Sequence, residues 1–310
     1  MKANRMDILC VGHACYDLTF AVDHPIGPDE KATATDQISC GGGPAANAAV
    51  TASRLGSKTA LAAYLGNDIF GELHFNELAE AGVITRWMIR GSCPTPLSTI
   101  WAQPDGQRAL VNYKGTTPDP LPDAFDFSEC HPSVILFDGH LPEVSFELAQ
   151  WARAKHIPTI LDAGSVHKGT IGLIDKVDYL VTSEKFARDY TFTTDGESAV
   201  KKLCHHAPNV VVTLGAQGLI WQNWKGRGRV PAFRIKAIDT TGAGDAFHGA
   251  FAHGISLKMP WSKLLQYASA VAALCCTKMG ARNGIPSATE TEHFLAGLPK
   301  YADPISVIPE

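Results

Sequence analysis

Short, β-branched apolar runs alternate with helical patterns along most of the 310-residue chain, and that alternation restricts the fold more than any other feature. Residues 6–12 (MDILCVG), 58–66 (KTALAAYLG), 133–139 (SVILFDG), 158–164 (PTILDAG), 178–183 (DYLVTS) and 209–215 (NVVVTLG) read as buried strands that end in turn residues. Between them PAANAAVTASRLG, FGELHFNELAEAG, PEVSFELAQWARAKH, ESAVKKLCHH and GDAFHGAFAHGISL carry apolar residues at helical spacing and often stop at Gly or a basic residue. The expectation is an α/β fold, a doubly wound and mostly parallel sheet flanked by helices on both faces.

Two stretches leave that rhythm. LSTIWAQPDGQRALVNYKG (97–115) is two strand-like runs about a Pro-Asp-Gly turn, a hairpin with no helix attached. ACYDLTFAVDHP and ATATDQISC form a second extended region between the first strand and the first helix. Together they predict a small β-sheet lid, inserted at about 13–40 and 95–116 into one domain spanning 1–310. A lid face of this kind is covered by a substrate cleft or by a second subunit, which makes a homodimer through the lid the expected assembly.

Composition narrows the class. A hydrophobic share of 45% with 19% charged residues is that of a globular chain, and the net charge of −4 comes without a Lys/Arg stripe. That balance argues against nucleic acid as a partner, and KGRGR (225–229) reads as a solvated turn. Eight scattered cysteines show neither a C-x-x-C pair nor ligand-spaced histidines, so buried thiols in a reducing cytoplasm are expected. The first residues are too polar for a secretory signal, and no apolar run nears the roughly 18 residues of a membrane span.

Two glycine-led helix starts carry the chemistry. FRIKAID (233–239) reads as a strand-like approach, and in AIDTTGAGDAFHGAFAHG (237–254) Gly242, Ala243 and Gly244 precede an apolar helix whose first turn holds Asp245. A helix amino end presents unpaired N–H groups and partial positive charge, and small residues admit an anion to that backbone. An acid there can equally be a simple partner of the helix dipole. If the anion is a nucleotide γ-phosphoryl group, the amides stabilise transferring charge and Asp245 takes the proton of an attacking hydroxyl. In CGGGPAANAAVTASRLG (40–56), three glycines and Asn47 can approach a polyhydroxyl ligand, although a tight turn and close helix packing would also use them. No G-x-x-x-x-G-K-[ST] and no G-x-G-x-x-G after the first strand appears, which sets aside P-loop and dinucleotide enzymes.

GGGPAANAA early and DTTGAGDAFHGAF late, separated by an α/β chain with an inserted hairpin, resemble the ribokinase-like (PfkB) family of sugar and nucleoside kinases across the whole chain. The resemblance implies a ribokinase-like fold and an ATP-dependent phosphotransferase acting on an alcohol. It assigns Asp245 as base and 242–244 as anion hole, and Asp17, Gly42, Gly43, Asn47 and Asn112 to the sugar, with Arg108 a further candidate. VVVTLGAQGLIW matches a T-x-G-x-x-G segment, which places Thr213, Gly215 and Gly218 beside ATP; a plain turn between strands is the other reading. Backbone carbonyls of Asp239, Thr241, Cys275, Lys278 and Gly280 would surround a monovalent cation, with potassium suited to hard oxygen ligands.

Two departures accompany the resemblance. Where many members carry N-x-x-E to organise magnesium, this chain has Ser183, a candidate beside the nucleotide, and Phe186, leaving Glu184, or Asp162 at the end of the preceding strand, to act on Mg²⁺ through water; both acids read equally as surface residues. Pro44 stands where relatives often hold a polar side chain. Within the family the motifs look most like sulfofructose kinases and, more distantly, ketohexokinases. An anionic tail would need an Arg or Lys clamp, and ILFDGHLP offers His140 instead, with Lys31, Arg108 or Lys114 elsewhere. The expected substrate is therefore a neutral or weakly acidic ketose-like sugar phosphorylated on a primary hydroxyl. A nucleoside kinase, a sulfosugar or sugar-acid kinase and a non-catalytic sugar sensor are the alternatives.

Overall fold

The computed structural model describes residues 5–103, 108–297 and 306–307; the Pro-Asp-Gly turn of the expected hairpin lies outside them. The chain runs β1 (Arg5–Val11), β2 (Cys15–Ala21), β3 (Asp36–Gly42), α1 (Pro44–Arg54), β4 (Thr59–Gly66), α2 (Ile69–Glu80), β5 (Ile84–Gly91), β6 (Leu97–Ala102) and β7 (Arg108–Tyr113). It continues β8 (His131–Phe137), α3 (Pro142–Lys155), β9 (Thr159–Ala163), α4 (Lys168–Leu173), β10 (Tyr179–Ser183), α5 (Glu184–Thr191), α6 (Gly196–Leu203) and β11 (Asn209–Thr213). The last elements are β12 (Leu219–Asn223), β13 (Gly226–Val230), α7 (Ala243–Ser256), α8 (Trp261–Cys275), α9 (Ala288–Ala296) and β14 (Ser306–Val307).

Among the described residues a 10-stranded sheet has the order β14-β13-β12-β11-β10-β9-β8-β1-β4-β5. It is parallel from β11 to β5 and antiparallel beyond. Alternate residues of each central strand feed two separate cores, as a strand buried on both faces requires. Ile8, Cys10 and Leu136 pack with α1, α7 and α8, whereas Leu9, Val11 and Phe137 pack with α3 and α6. The alanines of α1 let it lie against α7. A Cβ on Gly249 would stand 2.4 Å from the Ala48 carbonyl, so the two backbones nearly touch there.

The lid is a 4-stranded sheet of order β3-β2-β6-β7. Its register aligns Cys40, Asp17, Ser98 and Asn112 in one cross-strand row, which puts the sugar candidates Asp17 and Asn112 on the same face. On the edge strand β7, Leu110, Val111 and Tyr113 are exposed.

Two local expectations fail. KGRGR is no solvated turn, because residues 226–230 pair antiparallel with β12 and extend the sheet. FRIKAID, read as a strand-like approach to the late glycines, joins no sheet; the Ile238 and Asp239 amides are taken instead by the Cys276 carbonyl, at 2.8 and 3.3 Å.

Candidate functional site

In a doubly wound sheet, ligands sit beyond the carboxyl ends of the strands where the winding reverses. Here β1 lies between β8 and β4 at that reversal. Asp138 just past β8, Asp162 on β9, Ser183 on β10 and Thr213 on β11 share this edge with the amino ends of α1 and α7.

Helix α1 starts from Gly43, whose φ of 96° favours glycine, and Pro44 fills the first helical position, where its fixed φ suits the helix and its missing N–H is no loss. A Cβ on Gly42 would fall 2.1 Å from a carboxylate oxygen of Asp17, so that glycine makes room for the acid. The helix end is closed from within. Asp138 Oδ2 accepts from the amides of His13 (2.8 Å) and Ala45 (3.1 Å), and its Oδ1 accepts from the His140 amide (2.9 Å).

Helix α7 also starts from a left-handed glycine, Gly242 with φ 77°. The Ala243 amide donates to Thr240 O at 3.3 Å, and the Ala246 amide returns to Gly242 O at 2.8 Å. By helix geometry the Gly244 and Asp245 amides have no intrahelical acceptor, so the anion hole expected at Gly242, Ala243 and Gly244 moves along the turn to these two, the Ala243 amide being already engaged. A Cβ built on Gly244 meets nothing within 4 Å, so this mouth opens onto space.

Asp245 is half-buried and its Oδ2 accepts from Asn47 Nδ2 at 2.8 Å. The orientation of that amide is set by Arg282, whose Nε donates to Asn47 Oδ1 at 3.0 Å. Arg282 is 4% exposed; its remaining nitrogens reach Glu77 Oε2 at 3.2 Å and His74 Nε2 at 2.7 Å. Burial and the guanidinium push His74 well below the usual imidazole range, so it meets Arg282 as an acceptor. Glu77 also accepts from the Gly41 amide at 2.7 Å, which ties the first glycine of the triplet into the same chain of contacts.

Across the cleft Asp17 is buried and accepts from Cys15 Sγ at 3.1 Å. Burial raises its pKa; bonds from Cys15 and Ser98 and the charge of Arg282 oppose the rise, and Asp245 adds to it. Ser98 Oγ donates to Asn112 Oδ1 at 3.0 Å, beside Asp17 in the same cross-strand row. Arg108 is not part of this group. It stands exposed at the other end of β7, where its charge favours the ionised form of Cys276. Three imidazoles stand nearby in a row, His13 to His140 at 5.2 Å and His140 to His167 at 4.6 Å between ring centres. Lys114 of the lid bears electrostatically on this row while pairing with Asp119 at 2.8 Å. Lys31 is exposed.

The candidate nucleotide residues are adjacent by register, Ser183 opposite Thr213. Ser183 Oγ accepts from the Phe186 amide (3.0 Å) and donates to Gly164 O (2.9 Å), and Thr213 Oγ1 donates to Thr182 O (3.2 Å). Gly215, φ +57°, borders open space. Gly218 has a structural reason of its own, since a Cβ there would lie 2.0 Å from Val230 O. Phe186 is fully buried and stacked on Tyr190 at 5.5 Å, so the Ser183/Phe186 positions do not fit a hydrated magnesium ion. Glu184 is half-buried in the first turn of α5.

The expected cation loop is assembled around Asp239. Its Oδ1 accepts from Thr241 N and Oγ1 (2.8 and 2.7 Å) and its Oδ2 from Gly280 N (2.8 Å). Cys275 Sγ lies 4.0 Å from Thr241 O and 3.6 Å from Ala281 O, while Lys278 is exposed. Among the described residues no group of three or more His, Cys, Asp or Glu is arranged for a metal ion. A separate cavity of about 1070 Å³, lined by Arg5, Trp151 and Lys258, lies at the opposite ends of the strands and contains none of the acids discussed here.

Sequence reasoning missed Asp138, Arg282, Glu77 and His74. A signal existed for Asp138, an acid and a glycine closing an apolar strand at its carboxyl end. Arg282 had a fainter one, a lone arginine among small residues in GARNGIP.

A model of the family described as pfkB family carbohydrate kinase matches residues 5–288. A ribokinase from Lactococcus lactis is 27% identical over 295 residues, covering 93% of this chain and 96% of that one. The crystal structure of a ribokinase from Thermotoga maritima superposes with a TM-score of 0.83 at 29% identity, covering 94% of this chain and all (100%) of the other. That of a fructokinase with bound ATP from Xylella fastidiosa gives 0.78 at 26% identity, covering 94% and 98%.

Proposed function

The chain belongs to the pfkB family of carbohydrate kinases, and from that membership and the geometry above we propose that it transfers the γ-phosphoryl group of ATP to a primary hydroxyl of a ketose-like sugar. One observation carries the reading. A half-buried carboxylate, Asp245, is held by Asn47 beside two first-turn amides that open onto space. The acceptor hydroxyl, oriented by Asp17 and Asn112, gives its proton to Asp245 as its oxygen bonds to the γ-phosphorus. The bond from that phosphorus to the β-γ bridging oxygen breaks, and ADP leaves. The Gly244 and Asp245 amides hold the charge on the transferring group, which grows where helix dipole and N–H groups already point.

Thr213, Gly215 and Ser183 would lie along the nucleotide; the ATP carried by the related Xylella fructokinase supports the donor. Mg²⁺ would neutralise the triphosphate, with Glu184 touching its water shell. Potassium is proposed at the Asp239, Thr241, Cys275, Lys278 and Gly280 backbone. The exposed apolar residues of β7 support a homodimer through the lid, and eight free cysteines suit a reducing cytoplasm.

The test is an ATP-consumption screen over ketoses, aldoses, sugar acids and nucleosides, with and without potassium. Turnover of a ketose is expected; turnover of nucleosides alone would refute the acceptor. The His13, His140 and His167 row beside Lys114 favours a second reading, a sugar with an anionic end, which the sugar-acid arm addresses.

A further inference from the structure

Arg282 lies in the GARNGIP loop after α8 and is buried, a place arginine takes only when its charge is paired. Each guanidinium nitrogen has a task of its own. Nε donates to Asn47 Oδ1 at 3.0 Å, Nη1 to Glu77 Oε2 at 3.2 Å and Nη2 to His74 Nε2 at 2.7 Å. A planar fork of this kind fixes its three acceptors relative to one another. The loop is held from behind as well, since the Arg282 carbonyl accepts from Arg54 Nη1, at the carboxyl end of α1, at 2.7 Å.

Two of these partners lead into the candidate site. Asn47 passes the constraint to Asp245: the guanidinium only donates and a carboxylate only accepts, so the amide between them fits in one orientation, with Oδ1 toward the arginine and Nδ2 toward the acid at 2.8 Å. Glu77 passes it to the lid. Its Oε2 accepts from the Gly41 amide at 2.7 Å as well as from Arg282, and Gly41 stands in β3 just before Gly42 and Gly43, where the lid strand turns into α1. A Cβ on Gly41 would fall 2.3 Å from Arg282 Nη1, so the root of the lid rests against the guanidinium itself.

We propose that Arg282 is a positioning residue for phosphoryl transfer: one guanidinium holds the Asn47 amide against Asp245 and the root of the lid at Gly41, so that the base and the sheet over the sugar are set in a single geometry. The inference rests on the assignment of Asp245 as base. Arg282 acts on direction and reaches the acid only through Asn47. Loss of the fork frees the amide to turn and lets the base drift from the acceptor hydroxyl, which costs rate. Affinity for ATP is spared, because the chain of contacts runs through Glu77, His74, Gly41 and Asn47 and ends at Asp245.

Arg282→Lys keeps a cation but offers one nitrogen where three are used. Per folded molecule, kcat with the sugar found by the substrate screen should fall about 10- to 100-fold, while the KM for ATP changes less than about threefold. A double-variant cycle separates positioning from simple support. Asn47→Ala removes the intermediary, so Arg282→Lys added to it should lower kcat less than about twofold further. Glu77→Ala, at a side chain 32% exposed, should lower kcat about threefold and lose that effect in the Asn47→Ala background. One readout needs no sugar. In NMR of asparagine-labelled protein, with Asn47→Ala identifying the signal, the Asn47 side-chain amide should exchange its hydrogens at least ~10-fold faster in Arg282→Lys and about threefold faster in Glu77→Ala.

Losses in kcat that multiply in full on the Asn47→Ala background, or an Asn47 amide that exchanges at the wild-type rate in Arg282→Lys, would overturn the proposal and leave Arg282 a structural tie. A Glu77→Ala enzyme with wild-type kcat would overturn it too, because the lid would then be set without the guanidinium. Should Arg282→Lys not fold, the Glu77→Ala cycle and the amide exchange in that variant decide the matter. If Asp245→Asn leaves turnover intact, the base assignment fails and this inference with it; if Asp245→Asn abolishes turnover and the cycle is additive, only this inference does.

Discussion

Helices α1 and α7 begin in nearly the same way, yet one beginning is plugged and the other is open. Each starts from a glycine with positive φ, 96° at Gly43 and 77° at Gly242, and runs into small residues. Each therefore offers the bare amides that attract an anion. At α1 the protein supplies that anion itself, since Asp138 reaches across 93 residues to the Ala45 amide. At α7 no side chain caps the end, and the space beyond Gly244 is free. The same local grammar thus builds a structural joint in one place and a candidate ligand mouth in the other. Only the distant carboxylate tells them apart.

The strongest attack on this contrast is at the open mouth. Asp245→Asn keeps the shape and the bond from Asn47 within reach but cannot take a proton. Turnover should fall by at least ~10²-fold while ATP binding, measured by calorimetry, stays near wild type. Near-wild-type turnover would sink the role of the base. Next comes Gly244→Asp, which makes α7 resemble α1 by placing the protein's own anion at the mouth. ATP affinity should drop by about tenfold or more, from repulsion of the phosphates near the helix end, whereas Gly244→Ala should change it less than about threefold because its Cβ meets nothing. Equal losses in both variants would mean that the turn senses bulk and not charge.

At the plugged end the loss should appear in stability. Asp138→Asn replaces an oxygen that serves two amides with a group that can itself only donate on that side. A cost of about 1–2 kcal/mol in chemical unfolding is expected, with the affinity for ATP little altered. An Asp138 variant that folds as well as wild type but loses ATP would transfer the ligand role to α1.

How much of this was legible depends on the range of the cause. The strand and helix alternation, the lid and both glycine turns come from periodicity and local backbone demands, so a single chain displays them. Asp245 was visible because its neighbours in sequence are its neighbours in space. Asp138, Glu77 and Arg282 were not, because each acts on a residue 36 to 235 positions away, and nothing local marks an acid or an arginine as paired. The Arg282 to Asn47 to Asp245 connection joins three separate parts of the chain. Strand β13 was missed for a related reason: GRGRV has no apolar alternation of its own, and its partner β12 decides its state.

The plugged mouth also makes a prediction in pH, the smallest of the set. His13, whose carbonyl accepts from the Ala46 amide at 3.4 Å and whose amide donates to Asp138, carries an imidazole that burial and the neighbouring His140 push down to about 4. Asp138, Asp119 and Lys114 also face this ring; the acids favour its charged form and Lys114 opposes it. A folded pKa below the unfolded value near 6.5 means that the unfolded chain binds the extra proton first as pH falls. The contribution of His13 is then complete above about pH 6.5 and is lost progressively toward pH 4. Between pH 7 and 5.5 this amounts to about 1 kcal/mol, so His13→Gln should flatten the pH dependence of unfolding by that much. If the His13 variant keeps the full acid slope, the imidazole is already protonated in the folded state, and the joint at α1 carries a cation that its hydrogen bonds do not reveal.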